Sequence, residues 1–303
     1  MTKLKFLITG GTGLVGSSLT NLLIEKGYSV NVLSRKKINS NKSNLAFFLW
    51  NPSKQFIDKS CLNGVDTIIN LAGSSVLSVW STSVKNKILR SRIDALETIY
   101  NLLKNNKHKV KRIISASAIG IYQNNNLKIH DENTREISNS FLGRTVFQWE
   151  SKINEFNKIK INVSVVRIGL VISEHGGIFK VLKTLNKLRI NALIDGGIQI
   201  QSWIHIDDLV RIFYFIAKNN INGVINAVSP KTYNFKKILK FISNINKKPL
   251  IIINLPGFIP QFFFKILGLS DFYHDIIISN KNISSKKIQD LGYNFIHPSL
   301  TTI

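Results

Sequence analysis

Short apolar runs alternate with longer segments of helical periodicity over the first two thirds of this 303-residue chain. The runs predict strands at Lys5–Thr9, Ser29–Ser34, Ala46–Trp50, Asp66–Leu71, Arg112–Ser117 and Asn162–Ile168, and the helical patterns predict helices at Leu14–Lys26, Thr82–Asn105 and Thr145–Lys158. Alternation of this kind implies a parallel sheet wrapped on both faces. A later run, Val224–Val228, predicts a strand returning to the same sheet. Gly176-Gly177 opens a further helical pattern through Leu188, and after Pro230 come a helix (Phe235–Ile245), a strand (Leu250–Asn254) and a helix (Phe258–Leu267). The expected fold class is α/β, a doubly wound parallel sheet with a small C-terminal lobe over the carboxyl ends of its strands, where ligands of such sheets sit. Residues 1–170, completed by about 198–230, would form the sheet domain, and 171–197 with 231–303 the lobe.

The first strand runs straight into Gly10, Gly13 and Gly16, and the helix pattern Leu14, Leu19, Leu22, Leu23 follows at once. Strand, glycine turn and helix in this order form the context of a Rossmann dinucleotide site. Glycines let the backbone approach a pyrophosphate, and the first-turn N–H groups of the helix face its charge. The turn residues Gly10, Thr12, Gly13, Leu14, Val15 and Gly16 are therefore the expected cradle. The second strand sets the cofactor. An NAD site would place an acid at its end, but the chain reads Val32-Leu-Ser-Arg-Lys36. Arg35 and Ser34 suit a 2′-phosphate, so the expected cofactor is NADP(H).

Composition changes this picture little. One cysteine, Cys61, excludes an intramolecular disulfide and is expected to be a buried thiol. The first apolar run is a strand and not a secretory signal. The stretch Leu250–Leu269 is broken by Asn254, Pro256, Gly257, Pro260, Gln261 and Lys265, and fails as a membrane span, which needs about 20 apolar residues. A soluble cytoplasmic protein without a membrane partner is expected. The net charge of +24 comes from scattered lysines in a chain also rich in Asn, Ile and Phe, all with A/T-rich codons. A biased genome accounts for it, and there is no arginine-rich arm or aromatic-interleaved basic stripe for nucleic acid.

Taken together, these elements resemble the extended short-chain dehydrogenase/reductases, the nucleotide-sugar epimerase superfamily. The matching pieces are Thr9-Gly-Gly-Thr-Gly-Leu-Val-Gly16, Asp66-Thr-Ile-Ile-Asn-Leu-Ala-Gly73, Ile114-Ser-Ala-Ser-Ala118, Arg167 and His205-Ile-Asp-Asp208. A narrower resemblance, over essentially the whole chain, is to the YfcH-type (SulA-like) epimerase family proteins. It rests on Ser91-Arg92, Trp149-Glu150, Gly176-Gly177, Gln199-x-x-Ser-Trp-Ile-His205 and Lys287-x-x-x-x-Gly-Tyr-x-Phe-x-x-Pro298.

The resemblance implies that Leu71, Ala72 and Gly73 pass close to the cofactor and that Ser117 holds the substrate carbonyl or hydroxyl. The superfamily's catalytic tyrosine lies on the helix after that serine, with lysine one turn later. Here the corresponding residues are Leu142 and Val146, neither able to transfer a proton. Tyr100–Lys104 and Tyr214–Lys218 match Tyr-x-x-x-Lys in the wrong segments. Candidate polar substitutes are Tyr122, Arg144 and His205. Trp80, Arg92, Arg167 and His205 are candidates to face a substrate, each with a plain structural alternative. No metal site is expected, and pairing of two copies through the central helices is open. The reading is an NADP(H)-binding oxidoreductase or epimerase acting on a small carbonyl, hydroxyl or nucleotide-sugar-like compound. Its rival is a non-catalytic NADPH-sensing regulator acting through a protein partner.

Overall fold

The computed structural model describes residues 4–189, 191–248 and 252–303. Eight strands form the main sheet: β1 (Lys5–Thr9), β2 (Ser29–Ser34), β3 (Leu45–Asn51), β4 (Phe56–Ile57), β5 (Thr67–Asn70), β6 (Arg112–Ala118), β7 (Asn162–Ile168) and β8 (Gly223–Ala227). Their spatial order is β8-β7-β6-β5-β1-β2-β3-β4. Every pair is parallel except β3 and β4. The order reverses beside β1, between β2 and β5, and that crevice is where an open α/β sheet takes a ligand.

The central strands read as continuous apolar runs because both faces are covered. Phe6, Leu7, Ile8, Ile68, Ile69, Ile113 and Ile114 are fully buried in one core cluster. The covering helices are α1 (Leu14–Glu25), α2 (Thr82–Asn105), α3 (Phe141–Asn154) and α5 (Ile206–Lys218), with α1 beside α5 and α2 beside α3. Between α3 and α5 in the chain lies α4 (Gly177–Lys187), which packs on α6 (Phe235–Asn246). These two helices close a smaller core of Ile172, Phe179, Leu193, Trp203, Ile238, Leu239, Ile242 and Leu300. The doubly wound parallel sheet is thus present, with a second cluster beside it.

Helix α3 begins at Phe141, ahead of the expected Thr145, because the Ser140 hydroxyl accepts the Gly143 N–H at 3.1 Å and caps the first turn. It stops at Asn154 and passes into a 3₁₀ turn, Glu155–Ile159. Of the strand expected at Leu250–Asn254, Leu250 and Ile251 lie outside the described residues. The strand seen there is Ile253–Leu255, paired with Ala192–Ile194. Three further ladders, five of whose six strands are only two or three residues long, carry no clear periodic signal in the sequence. They join Leu170–Ile172 to Trp203–His205, Ile200–Gln201 to Tyr233–Asn234, and Asn125–His130 to Lys281–Ile283. Near the C-terminus, Ile288 and Tyr293 pack into the large core. Among the described residues no helix is long and apolar enough to cross a membrane, and α7 (Phe258–Ile266) has nine residues.

Candidate functional site

The turn after β1 is built around glycine at three positions for three different reasons. Gly10 has φ +67°, and a Cβ there would sit 2.6 Å from the Leu71 carbonyl oxygen. At Gly16 a Cβ would meet the Gly10 oxygen at 2.2 Å, so only glycine lets α1 lie this close to β1. Gly13 differs. It is exposed, its φ is an ordinary −83°, and a Cβ would meet only the Gly10 oxygen, at 3.3 Å. Gly13 therefore sits exposed at the start of α1, with a single backbone neighbour for a side chain to meet. That helix has no side-chain cap and no acid in its first turn, so the N–H groups of Leu14, Val15 and Gly16 form a bare positive helix end. These residues fit a dinucleotide pyrophosphate. Thr12 is exposed beside them.

A buried bond chain fixes the neighbouring loop. Thr9 Oγ1 donates to Asn70 Oδ1 at 2.6 Å and accepts the N–H groups of Leu71 and Ala72 at 3.1 and 3.2 Å. Asn70 Nδ2 in turn donates to Ser115 Oγ at 2.9 Å. Leu71, Ala72 and Gly73 are thereby held against the glycine turn. At the end of β2, Ser34 is buried and accepts the Lys36 N–H, and Arg35 is exposed with no carboxylate within ion-pair reach among the described residues. From Ser29 to Ile57 the chain contains no Asp or Glu.

Arg92 reaches this loop from α2. A Cβ on Gly73 would lie 3.1 Å from its Cζ. Its Nη1 donates to the Ile88 carbonyl at 2.7 Å and to the Ser74 carbonyl at 3.3 Å, and its guanidinium lies 4.9 Å from the Trp149 ring centroid. Burial pulls its pKa down to about 10, and no described carboxylate pairs with it. Arg92 is thus a half-buried cation beside Gly73 without a carboxylate partner among the described residues.

Ser117, Tyr122 and Arg167 are brought together, but facing inward. Ser117 Oγ donates to Glu150 Oε1 at 2.6 Å, while Arg167 Nε and Nη2 grip the same carboxylate at 2.9 and 2.8 Å. Arg167 Nη1 donates to the Tyr122 hydroxyl, and that hydroxyl donates to Asn226 Oδ1, both at 2.8 Å. All five residues are buried. Burial pushes the Tyr122 phenol up to about 12, against the pull of Arg167. Burial alone would lower the Arg167 pKa, but Glu150 outweighs it and holds the guanidinium charged. The expected presentation of Ser117 and Tyr122 to a substrate is not what the geometry provides: their protons are committed within the protein.

The other expected residues lie apart. Arg144 is exposed and donates to the Asn139 carbonyl. Trp80 is buried, its indole N–H on the Val76 carbonyl, edge-on to Phe141 and Phe272. His205 caps α5 and packs against His297, the rings tilted by 56° with centroids 4.1 Å apart. Burial, and then His297, lower its pKa. Leu142 and Val146 do lie on α3, with Val146 buried among Ile121, Tyr122, Val228 and Ile283. Tyr100 packs on Phe156 and Tyr214 on Tyr28, so both stray Tyr-x-x-x-Lys matches serve helix packing. Cys61 is buried, its thiol pushed up to about 12 by desolvation. Glu150 and Asn226 were not singled out as site residues. The available signal for Glu150 was a lone acid on the inner face of α3, in a chain with 17 acids against 41 bases.

The model of the NAD dependent epimerase/dehydratase family matches residues 6–234. The chain belongs to that family. It is 28% identical over 297 residues to the epimerase family protein SSP1921 of Staphylococcus saprophyticus, covering 97% of this chain and 96% of that one. In fold it resembles the human epimerase family protein SDR39U1 (isoform 2) with NADPH, at TM-score 0.82 and 22% identity, covering 99% and 97% of the two chains. It also resembles the Bacillus cereus UDP-glucuronic acid 4-epimerase in complex with UDP-glucuronic acid and NAD, at TM-score 0.76 and 17% identity, covering 98% and 96%. The extended short-chain dehydrogenase/reductase architecture expected from the motifs is therefore the one the chain has.

Proposed function

We propose that this protein binds NADP(H) across the carboxyl ends of β1, β2 and β5 and uses it on a small carbonyl or hydroxyl compound, nucleotide-sugar-like molecules included. The observation that carries the reading is the start of α1, an uncapped helix end behind glycines of which Gly13 is exposed. Leu14, Val15 and Gly16 would hold the pyrophosphate through their N–H groups. Leu71, Ala72 and Gly73 would border the cofactor, and Arg35 with Ser34 would take the 2′-phosphate. The NADPH of the human relative supports this choice by analogy of fold, while the Bacillus cereus enzyme carries NAD. When bound, the nicotinamide supplies or takes up hydride. Arg92 would orient an anionic group of the ligand against Gly73. Residues 1–170 with 198–230 would serve the cofactor, and 171–197 with 231–303 the substrate.

A second reading, an NADPH-responsive protein without turnover acting through a protein partner, is favoured by one observation. The proton-bearing candidates Ser117 and Tyr122 are both committed to buried partners. Titration of protein fluorescence with NADPH and NADH, followed by NADPH absorbance against a panel of carbonyls, tests both readings. Preferred NADPH binding with turnover supports the first, and the same binding without turnover supports the second. Absence of binding to either cofactor overturns both.

A further inference from the structure

We propose that His205, Asp207 and His297 form a binding site for a divalent transition metal that ties the C-terminal segment to α5. One donor atom from each residue lies within 4.8 Å of the other two. The hydrogen bonds around them decide which lone pairs are free. His297 Nδ1 stands 2.8 Å from the Thr302 carbonyl oxygen. A carbonyl only accepts, so Nδ1 carries the proton and Nε2 is bare. His205 Nδ1 accepts the Asp207 backbone N–H at 3.3 Å, so this nitrogen carries no proton of its own, and a metal would take the place of that long capping bond. Both nitrogens face the same carboxylate oxygen, Asp207 Oδ2, at 3.6 Å from His205 and 3.9 Å from His297.

Two imidazole nitrogens without protons of their own and one carboxylate oxygen therefore converge, a donor set that a cation can bridge. Two imidazoles and a carboxylate are the donor set that suits Zn²⁺, Co²⁺ or Ni²⁺ rather than Ca²⁺ or Mg²⁺. Ligands about 2.1 Å from a tetrahedral metal stand roughly 3.4 Å from one another, so small side-chain rotations close the site. Asp207 is exposed, leaving a path for the ion and room for water as a further ligand.

The site is also supported from outside. The His297–Thr302 bond is the carbonyl contact that commonly fixes a metal-binding histidine's tautomer. Asp208, fully buried, accepts the N–H groups of Ile296 and His297 at 2.9 and 2.8 Å and the Tyr293 hydroxyl at 2.8 Å. The backbone of His297 is thus held against the first turn of α5 before any ion arrives. A bound metal would add a further attachment between segments some ninety residues apart in the chain.

The test is calorimetric titration of ZnCl₂ into untagged, metal-stripped protein, with Co²⁺ absorption as a second probe of coordination. One equivalent should bind, and Zn²⁺ should raise the melting temperature and slow amide exchange over residues 297–302. His297→Gln should weaken Zn²⁺ binding at least about tenfold, as should Asp207→Asn. His205→Asn keeps a capping side chain on α5 and should weaken Zn²⁺ binding to a similar extent, so a folding defect does not mask the result. Absence of a stoichiometric site in the wild type overturns the proposal. So does affinity unchanged in all three variants, which would place the metal elsewhere.

Discussion

Ser117 donates its hydroxyl proton to Glu150 at 2.6 Å, inside a network that Arg167 closes with two further bonds to the same carboxylate. This relationship gives a residue expected to touch substrate a structural partner as well. Removing Glu150 leaves the Arg167 guanidinium buried without a counter-ion, so Glu150→Ala should cost about 3–5 kcal/mol of stability. Ser117→Ala removes one bond to a charged group and should cost about 1.5–3 kcal/mol. Urea denaturation of the two variants measures both. Unchanged stability in Ser117→Ala together with lost turnover would return Ser117 to the chemistry.

Arg35 is the residue on which the proposed NADP(H) preference is tested. Its guanidinium has no described carboxylate partner, and a 2′-phosphate would offer it a charge-assisted bond worth about 1.5–3 kcal/mol, or one to two decades in affinity. Arg35→Ala should therefore weaken NADPH binding by that factor and leave NADH binding where it was. Fluorescence titration with both cofactors reads the difference. A preference that survives the substitution would move the 2′-phosphate away from β2.

The glycine turn makes opposite predictions at two of its positions. Gly13→Val puts a Cβ 3.3 Å from one backbone oxygen at an ordinary φ, a contact that a shift of a few tenths of an ångström relieves, so the fold should persist while NADPH binding falls below detection. Gly16→Ala instead forces a Cβ to 2.2 Å from the Gly10 oxygen and 2.6 Å from the Gly11 Cα, which cannot move aside. It should lose about 1–3 kcal/mol of stability even without cofactor. Circular dichroism melting separates the two. Retained NADPH binding in a folded Gly13→Val protein would place the dinucleotide elsewhere.

These glycines also show what a sequence makes legible. Strand, turn and helix follow from local pattern, and α2 was read correctly at both ends, Thr82 and Asn105. The parallel sheet wrapped on both faces followed from the strand–helix alternation, because continuous apolar runs such as Phe6–Ile8 need cover on both faces. The inward turn of Ser117 was not legible. Which end of a strand-terminal hydroxyl bond is protein and which is ligand depends on Glu150 and Arg167, 33 and 50 positions away in the chain and brought near only by folding. The His205–His297 contact was hidden for the same reason, its partners lying on segments joined through the Asp208 bonds.

Lys281 gives the protein a pH dependence with a definite sign. The residue is buried, and desolvation brings its amine down to about 8 although Asp275 pulls the other way. The folded value lies below the unfolded one, so between about pH 8 and the ordinary lysine value the unfolded chain binds more protons. Stability should rise with pH across that window and be lost as pH falls through about 8. Lys281→Met removes the penalty, and should raise stability near neutral pH by on the order of 2 kcal/mol while flattening the rise above it. Denaturation at about pH 7 and about pH 10 checks this. A variant less stable than wild type at the lower pH would show that the amine is better accommodated than its burial indicates.

The last prediction concerns the missing acid–base pair. Leu142 and Val146 stand on α3 where the superfamily resemblance places tyrosine and lysine, and neither carries a transferable proton. Positioned acid–base catalysis contributes about 10²–10⁴-fold in rate, so the wild type should turn over ordinary nucleotide sugars barely or not at all. Restoring the pair is not symmetrical. Leu142 is half-buried, its N–H bonded to Asp275 Oδ2 at 2.9 Å, and a tyrosine ring there keeps that backbone bond. Val146 is packed among Ile121, Tyr122, Val228 and Ile283, where a lysine ammonium would be desolvated without a partner. Leu142→Tyr should therefore fold, whereas the double variant with Val146→Lys should melt several degrees lower. A panel of carbonyls and nucleotide sugars, run on the wild type and both variants beside Ser117→Ala, measures the outcome. Robust wild-type epimerisation that Ser117→Ala leaves untouched would put the reacting centre somewhere other than the ends of β6 and α3.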